Sequence, residues 1–203
     1  VGRYRDSTPH EDRARFYGMI SNIDENFGRL ETRLGELGLA DNTILVFMTD
    51  NGTATGVELD QDQFPQEGLG SYNAGMRGKK GSPYEGGHRV PFLIRYPDGQ
   101  IAGGRDLDAL TSYVDFMPTL LDLCGVEVPA NRTFHGHSLA PMLRGENPPD
   151  DWAGRINICD TQRIAHPVKW RRSAVMKEKW RLVNGNELYN LADDPHEMNN
   201  LAE

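Results

Sequence analysis

The longest hydrophobic pattern in the chain lies between Thr8 and Leu37. Apolar side chains recur there at alternating steps of four and three residues: Phe16, Ile20, Ile23, Phe27, Leu30, Leu34 and Leu37. This period predicts one amphipathic helix with a single buried stripe. Thr8 and Glu11 match a capping box, and Pro9 suits the first helical position. A coiled coil has a similar period, but the short connection to the following strand pattern favours a helix packed on a sheet.

Two short apolar runs predict buried β-strands. The first covers residues 44–49 and stops at Asp50-Asn51-Gly52, and the second runs from Val90 to Tyr96. A strand that is apolar almost throughout is expected in the interior of a sheet covered on both faces. Asp115 is then expected to cap a helix that continues through Leu123. Helices alternating with buried strands predict an α/β fold.

The pattern changes near residue 149, after a Gly-Glu-Asn-Pro-Pro stretch. We therefore divide the chain into an α/β core at residues 1–148 and a small antiparallel β subdomain at residues 149–203. Three short strand patterns in the second part cover residues 173–177, 179–183 and 187–191. Asn184-Gly185, between the last two, is a strong hairpin signal.

Charge and composition narrow the possible partners of this 203-residue chain. Its net charge of −8 argues against nucleic acid as the main partner, and an anionic substrate would need a local basic patch. No apolar run approaches the roughly 18 residues of a membrane span, and the N-terminus does not resemble a signal peptide. The cellular compartment stays unknown. Cys124 is interpreted as a core residue, and a disulfide with Cys159 has no support in the sequence.

Asp50 and Asn51 are the first candidates for chemistry, because they follow directly after a buried strand. Ligands of open α/β sheets bind just beyond the carboxyl ends of the strands. A carboxylate and an amide oxygen are hard ligands suited to Ca²⁺, Mg²⁺ or Mn²⁺. The alternative is an ordinary turn, since Asp-Asn-Gly is common in turns. After this turn, the polar stretch from Thr53 to Met76 is expected to be a long, poorly ordered loop.

The second candidate element is the segment from Lys80 to Arg89. Glycines beside Lys80 let the backbone approach an anion, and its ammonium group can hold a sulfate or phosphate as a point charge. The alternative is a solvated basic loop. His88 is a candidate proton donor or else an ordinary loop histidine. Glu85 and Arg89 are expected to form an ion pair that braces the turn before the second strand.

Several of these segments, taken together, resemble the carboxy-terminal half of a sulfatase of the arylsulfatase type. They are Phe16-Tyr17-Gly18-Met19-Ile20 with Ile23-Asp24, Asp50-Asn51-Gly52, the run from Lys80 to Pro91, Asp115 to Asp122, and Glu187 to Leu191 with Asp194-Pro195. The segments occur in the family's order over nearly the whole chain, and Lys-Gly-x-x-Tyr-Glu-Gly-Gly is highly specific. The resemblance implies an alkaline-phosphatase-like α/β fold with a carboxy-terminal antiparallel subdomain.

The resemblance also implies a reaction and a site. In such enzymes a formylglycine hydrate attacks the sulfur of a sulfate ester, while a divalent metal, usually Ca²⁺, orients the nucleophile and the sulfate oxygens. By motif match, Asp50 and Asn51 would be metal ligands and Lys80 would contact the sulfate as a catalytic group. His88 is the further candidate for substrate binding.

The chain also departs from the family pattern. The Cys/Ser-x-Pro/Ala-x-Arg motif that yields formylglycine occurs nowhere in its 203 residues, and the family's amino-terminal aspartate pair is absent. His10 lies too close to the first helix to match the family's upstream histidine. We therefore expect a chain that carries half of a site, is inactive alone and is prone to self-association. The alternatives are a phosphodiesterase or phosphonate monoester hydrolase of the same superfamily, against which Asn51 argues, and a non-catalytic binding module.

Overall fold

A computed structural model of the chain describes residues 2–8, 11–53, 74–101 and 103–202. The helices in these ranges are α1 (Glu11–Glu36), α2 (Glu85–His88), α3 (Phe116–Leu123) and α4 (Ala140–Arg144). The strands are β1 (Leu45–Met48), β2 (Phe92–Arg95), β3 (Asn157–Asp160), β4 (Ser173–Lys177), β5 (Trp180–Val183) and β6 (Glu187–Asn190). His10 and most of the predicted loop, residues 54–73, lie outside the described ranges.

Helix α1 forms where its period predicts, but the prediction that its apolar stripe is buried is wrong. Four members of the stripe have about half of their surface exposed: Ile20 (49%), Ile23 (50%), Leu30 (47%) and Leu37 (52%). The stripe meets β1 where the ring of Phe27 packs edge-on against Phe47, with ring centroids 5.5 Å apart. The periodicity therefore predicted the helix and the face that contacts the sheet. It did not predict burial, because burial depends on how much structure packs against that face.

Strands β1 and β2 are confirmed, and they pair with each other in antiparallel register, Leu45 opposite Arg95 and Met48 opposite Phe92. The expectation that β2 is covered on both faces is wrong, because Leu93 is 61% exposed. A continuous apolar run therefore did not distinguish an interior strand from one with an open face. The inner side of this pair packs against a core formed by Ile101, Leu123, Leu139, Ala140, Met142, Leu143 and Trp152.

Asp115 stands at the N-cap position of α3, as predicted, but its side chain makes no capping hydrogen bond to that helix. A 3₁₀ turn, Tyr113–Asp115, precedes the helix, and Ser112 is its N-cap in a reciprocal capping box with Asp115. The carboxylate of Asp115 is fully buried and accepts hydrogen bonds from the backbone N–H of Ser112 (2.7 Å) and His137 (2.9 Å). It also pairs with the guanidinium of Arg155 at 2.7 Å. Asp115 therefore joins three separate segments of the core.

Strands β4, β5 and β6 form the predicted antiparallel meander, and β3, which the prediction did not include, pairs with β4 to give the order β3-β4-β5-β6. Asn184 (φ 52°) and Gly185 (φ 75°) both adopt left-handed backbone in the β5–β6 turn, as the Asn-Gly signal predicts. Cys159 packs beside this sheet's small core of Ala174, Val183 and Tyr189. Both cysteines are free thiols, and Cys124 is exposed rather than in the core. No helix in the described ranges is long and apolar enough to span a membrane.

Candidate functional site

The turn after β1 and the segment around Lys80 lie against each other, although more than 25 residues separate them in the sequence. Two backbone hydrogen bonds join them: the Gly52 N–H donates to the Gly87 carbonyl (3.0 Å), and the Lys80 N–H donates to the Thr53 carbonyl (2.9 Å). The predicted metal-ligand and anion-binding segments therefore belong to one loop cluster.

Glycines make this close approach possible. A Cβ atom on Gly52 would lie 1.7 Å from the carbonyl oxygen of Gly86, and one on Gly87 would lie 2.2 Å from that of Ser82. Both atoms would collide with main chain that has no room to shift. The cluster thus requires glycine at Gly52 and at Gly87, which explains two of the glycines in the segment that resembles a sulfatase.

Asp50 is exposed and Asn51 is half-buried at the end of the turn. The Asn51 Nδ2 donates to Asp50 Oδ1 at 3.0 Å, so that the two side chains lie side by side. Among the described residues, no hydrogen bond reaches Asp50 Oδ2 or the Asn51 amide oxygen. Two hard oxygen donors are therefore available for a cation such as Ca²⁺, which takes 6–8 oxygen ligands.

Among the residues that the structure describes, these two donors are not part of a larger acidic or histidine cluster. Within the described ranges, no group of three or more His, Cys, Asp or Glu side chains is positioned to hold a metal ion. The donors fit a hard divalent cation by their chemistry but fall short of a complete coordination sphere.

Lys80 is exposed, while its backbone is held by the bond to Thr53. Gly81, the next residue, has left-handed backbone (φ 81°), and its carbonyl accepts a hydrogen bond from Arg172 Nη2 at 2.6 Å. The main chain around Lys80 is therefore fixed from two sides, by the turn after β1 and by the carboxy-terminal subdomain.

His88 is occupied within its own loop. Its Nε2 lies 3.1 Å from the Pro83 carbonyl oxygen, and since a carbonyl only accepts, Nε2 carries the proton. Burial lowers the pKa of His88 below its usual value, although the carboxylate of Glu85 opposes the shift. His88 is therefore a neutral imidazole that donates to the loop backbone. This hydrogen bond ties the ring of His88 to the backbone of the segment that follows Lys80.

A buried ion pair that the sequence did not reveal anchors α2. Arg181 Nε donates to Glu85 Oε1 at 2.6 Å, and both side chains are almost completely buried. The expected partner, Arg89, lies farther away at 3.5 Å and is 61% exposed. The Glu85–Arg89 pair does exist, but the stronger brace comes from β5, nearly 100 residues further along the chain. Their separation left no local pattern that could have predicted the pair.

A second buried carboxylate, Glu197, contacts the same helix. Its side chain is fully buried, and its Oε2 accepts a hydrogen bond from the Glu85 N–H at 2.9 Å. Its Oε1 has no partner among the described residues, and its backbone is left-handed, at φ 55°. Burial raises the pKa of Glu197 to about 7, and the nearby Glu85 carboxylate adds to the shift.

Arg77 completes the connection between the Lys80 segment and the carboxy-terminal sheet. Its guanidinium stacks over the ring of Tyr84, 3.8 Å from the centroid, and donates to the Tyr189 hydroxyl (2.9 Å) and the Glu197 carbonyl (2.8 Å). Both tyrosines donate to Glu187. Burial favours the neutral form of Glu187, yet these hydrogen bonds hold its pKa below the usual value.

Comparison with protein families identifies the class of protein that this fold and site represent. Residues 1–126 match the sulfatase family, and residues 79–203 match the family described as N-sulphoglucosamine sulphohydrolase, C-terminal. The chain therefore belongs to the sulfatase family, as the sequence motifs predict.

Among characterised relatives, the mouse (Mus musculus) steryl-sulfatase is 35% identical over 160 residues, which are 78% of this chain and 24% of that protein. The N-acetylglucosamine-6-O-sulfatase of Bacteroides thetaiotaomicron is 34% identical over 194 residues, which are 92% of this chain and 31% of that protein. The chain thus spans about a quarter to a third of the length of these relatives.

Solved structures confirm the alkaline-phosphatase-like sulfatase fold. Ps i-CgsB in complex with k-i-k-neocarrahexaose superposes with a TM-score of 0.75 at 28% identity, over 95% of this chain and 39% of that one. A protein solved in complex with its substrate, D-glucosamine-2-N,6-O-disulfate, superposes with a TM-score of 0.63 at 30% identity. The match covers 90% of this chain and 34% of that one. The phosphonate monoester hydrolase of Agrobacterium radiobacter superposes with a TM-score of 0.64 at 28% identity, and the match covers 93% of this chain and 36% of that one.

The close approach at Gly52 gives the first testable prediction. Gly52→Ala places a methyl group against the Gly86 carbonyl and should destabilise the chain by about 1–3 kcal/mol or more. Urea unfolding measures the loss, and faster amide exchange at Lys80 would locate it in the loop cluster. The matched control is Gly28→Ala on α1, where no atom lies within 4 Å of the added Cβ. It should stabilise the helix by about 0.5–1 kcal/mol. Equal unfolding free energies for the two variants would contradict the close-packed cluster.

The buried Glu197 predicts how stability changes with pH. Its pKa is about 7 in the folded chain against 4.5 for an unperturbed glutamate, so the folded state binds the extra proton between these pH values. The free energy of unfolding should therefore fall as pH rises from about 4.5 to 7, by up to roughly 3 kcal/mol.

Glu197→Gln carries no titratable group and should remove this decrease, leaving the variant more stable than the parent chain at pH 8. Urea unfolding at half-unit pH steps measures both chains. Glu146→Gln, at an exposed position, is the control and should keep the parental slope. If the free energy of unfolding of Glu197→Gln fell with pH as steeply as that of the parent chain, the titrating group would be another residue.

Proposed function

We propose that the protein is a sulfuric ester hydrolase and that this chain forms one wall of its metal- and sulfate-binding site. The observation that carries the proposal is the pair of backbone hydrogen bonds between the β1 turn and the Lys80 segment. They hold two oxygen donors and one cationic side chain in a single loop cluster, in a chain of the sulfatase family. That combination fits the cleavage of a sulfate ester, which requires a metal cation to orient the nucleophile and a positive side chain to bind the sulfate group.

Asp50 and Asn51 would hold the metal, for which Ca²⁺ is the proposed identity. The support is their chemistry, an unpaired carboxylate oxygen beside an unpaired amide oxygen. When bound, such an ion acts as a Lewis acid and a template for oxygen ligands. Because the described residues offer two donors here, we propose that other parts of the protein complete the coordination sphere.

Lys80 would bind the sulfate group of the substrate through its ammonium. The exposed side chain stands on a backbone held by Thr53 and by Arg172, so its charge would be directed at little entropic cost. For His88, which donates to the Pro83 carbonyl, we propose a positioning role for the backbone that follows Lys80. Direct substrate contact by His88 would require that hydrogen bond to break.

The nucleophile is proposed to be a formylglycine supplied from outside this sequence, since the motif that yields it is absent from the 203 residues. On this proposal the isolated chain hydrolyses sulfate esters at a negligible rate. We further propose a sulfated saccharide as substrate. The relatives and solved structures that name an amino sugar or a carrageenan oligosaccharide support this class.

A phosphonate monoester hydrolase is the second candidate, because one such enzyme shares the fold. The pair Asp50-Asn51 favours the sulfatase, since the phosphoryl-cleaving relatives that the sequence resembles commonly carry His after the strand-end Asp.

Lys80→Gln tests the role of the cation in the protein expressed from its complete gene. Loss of a charge that binds the reacting group should lower kcat/KM for 4-nitrophenyl sulfate by about 100- to 1000-fold. Lys177→Gln removes an equally exposed lysine from β4 and should change this value less than twofold. Comparison with a 4-nitrophenyl phosphonate ester distinguishes the two candidate functions. A preference for the phosphonate, or full activity in Lys80→Gln, would overturn the proposal.

Asp50→Asn tests the metal site through binding rather than activity. Loss of the only charge among the two proposed ligands should weaken Ca²⁺ binding to the metal-stripped protein at least about tenfold. Isothermal titration calorimetry measures the dissociation constant. Asp41→Asn, in the exposed turn before β1, is the control and should bind Ca²⁺ like the parent. Unchanged affinity in Asp50→Asn would remove this residue from the metal site.

A further inference from the structure

The loop between β3 and β4, residues 161–172, is strongly basic in a chain whose net charge is −8. It carries four cationic side chains, Arg163, Lys169, Arg171 and Arg172, and no aspartate or glutamate. All four are exposed. Within the described part of the chain, Arg163, Lys169 and Arg171 have no acidic partner. We call residues 161–172 the basic loop. Its charge is uncompensated and faces solvent.

The basic loop has a defined conformation. Thr161 closes its base by donating through both its N–H and its hydroxyl to the Arg172 carbonyl, at 3.0 Å each. The side-chain amide of Gln162 bonds both ways with the backbone of Val168, at 2.9 and 3.0 Å. Two hydrogen-bonded crossings therefore hold the loop backbone in shape, which fixes the positions from which its cationic side chains extend.

The backbone around Arg171 is strained. Trp170 (φ 67°) and Arg172 (φ 48°) both adopt left-handed conformations, which cost a non-glycine residue roughly 1 kcal/mol or more. Trp170 is held by packing on the β5–β6 turn, where a Cβ on Gly185 would lie 2.6 Å from its ring. It remains 41% exposed, with the Lys169 ammonium 5.2 Å from the ring centroid. Strain of this kind persists where the surrounding structure over-determines the conformation, often at binding sites.

The basic loop contacts the candidate site directly. Arg172 Nη2 donates to the carbonyl of Gly81, the residue after Lys80, at 2.6 Å. Arg172 therefore joins the loop that carries the other three cations to the segment that carries Lys80.

We propose that the basic loop is a subsite for a second anionic group of a sulfated oligosaccharide whose ester sulfate binds at Lys80. This inference rests on the proposed function and adds a second recognition point to it. Uncompensated cations of a pre-organised loop bind sulfate or carboxylate groups without having to break existing ion pairs. A short oligosaccharide meets only this loop and Lys80, whereas a long nucleic acid would also meet the acidic remainder of the surface.

The test compares two triple variants of the protein expressed from its complete gene. The loop variant is Arg163→Gln/Lys169→Gln/Arg171→Gln, which leaves the Arg172–Gly81 bond in place. The control is Arg5→Gln/Arg29→Gln/Arg132→Gln, three exposed arginines outside the loop. Both variants lose three positive charges, so a general change in net charge affects them equally. The probes are a heparin-derived hexasaccharide, glucosamine 6-sulfate and a 12-residue oligothymidylate, with binding measured by calorimetry at fixed salt.

The expected result is a loss of about tenfold in hexasaccharide affinity for the loop variant and no loss for the control, since single exposed charge pairs contribute at most a few-fold each. The affinity for glucosamine 6-sulfate should fall much less, because one sulfate cannot occupy both points. Equal hexasaccharide affinity in both variants would overturn the inference. It would also be overturned if the parent protein bound the oligothymidylate as tightly as the hexasaccharide and the loop variant lost affinity for both.

The experiment separates this inference from the proposed function. If the parent protein releases sulfate from no ester but the loop variant still loses hexasaccharide affinity, the proposed reaction fails while the anionic-saccharide subsite stands. If the parent hydrolyses sulfate esters and the two variants bind the hexasaccharide equally, the reaction stands and the subsite fails.

Discussion

The buried pair between Glu85 and Arg181 is the interaction on which the candidate site depends. Both side chains are almost inaccessible to water, and the distance between Glu85 Oε1 and Arg181 Nε is 2.6 Å. Removing one partner from such a pair leaves an uncompensated buried charge, which costs about 3–5 kcal/mol. Glu85 begins the helical turn that continues into Gly86 and Gly87, and Gly87 accepts the hydrogen bond from Gly52. The position of the proposed strand-end ligands, Asp50 and Asn51, thus depends on a residue of the carboxy-terminal sheet.

The same buried environment determines the protonation of Glu197. The guanidinium of Arg181 pairs with the carboxylate of Glu85. A negative charge on the neighbouring Glu197 would be buried without an equally close positive charge to balance it. A proton on Glu197 removes that charge, which explains why its pKa is raised to about 7. The left-handed backbone at Glu197 and the bond from Arg77 to its carbonyl hold the carboxyl in place. Below about pH 7, a neutral acid therefore fills the space between the site loop and the sheet.

Features encoded locally could be predicted from the sequence, and features that join distant segments could not. The period of α1, the apolar run of β1 and the Asn184-Gly185 turn each depend on neighbouring residues, and all three are confirmed. Asp50-Asn51 was placed at a strand end for the same reason. The partnership of Glu85 with Arg181 joins residues nearly 100 positions apart, and no spacing rule relates them. Burial of the α1 stripe was predicted wrongly, because periodicity specifies a face but not what covers it.

The electrostatics of the chain explain how an acidic protein could bind an anionic substrate. A net charge of −8 repels anions at long range, but salt screens exposed charges beyond about 8 Å at physiological ionic strength. On the proposed function, cations close to the bound sulfate would then matter most, and the segment of Lys80 carries no acidic residue nearer in sequence than Glu85. Arg172 contributes twice, because it fixes the Gly81 carbonyl and adds a second positive charge beside Lys80. At short range, the charges of these two residues could therefore outweigh the opposite net charge of the whole chain.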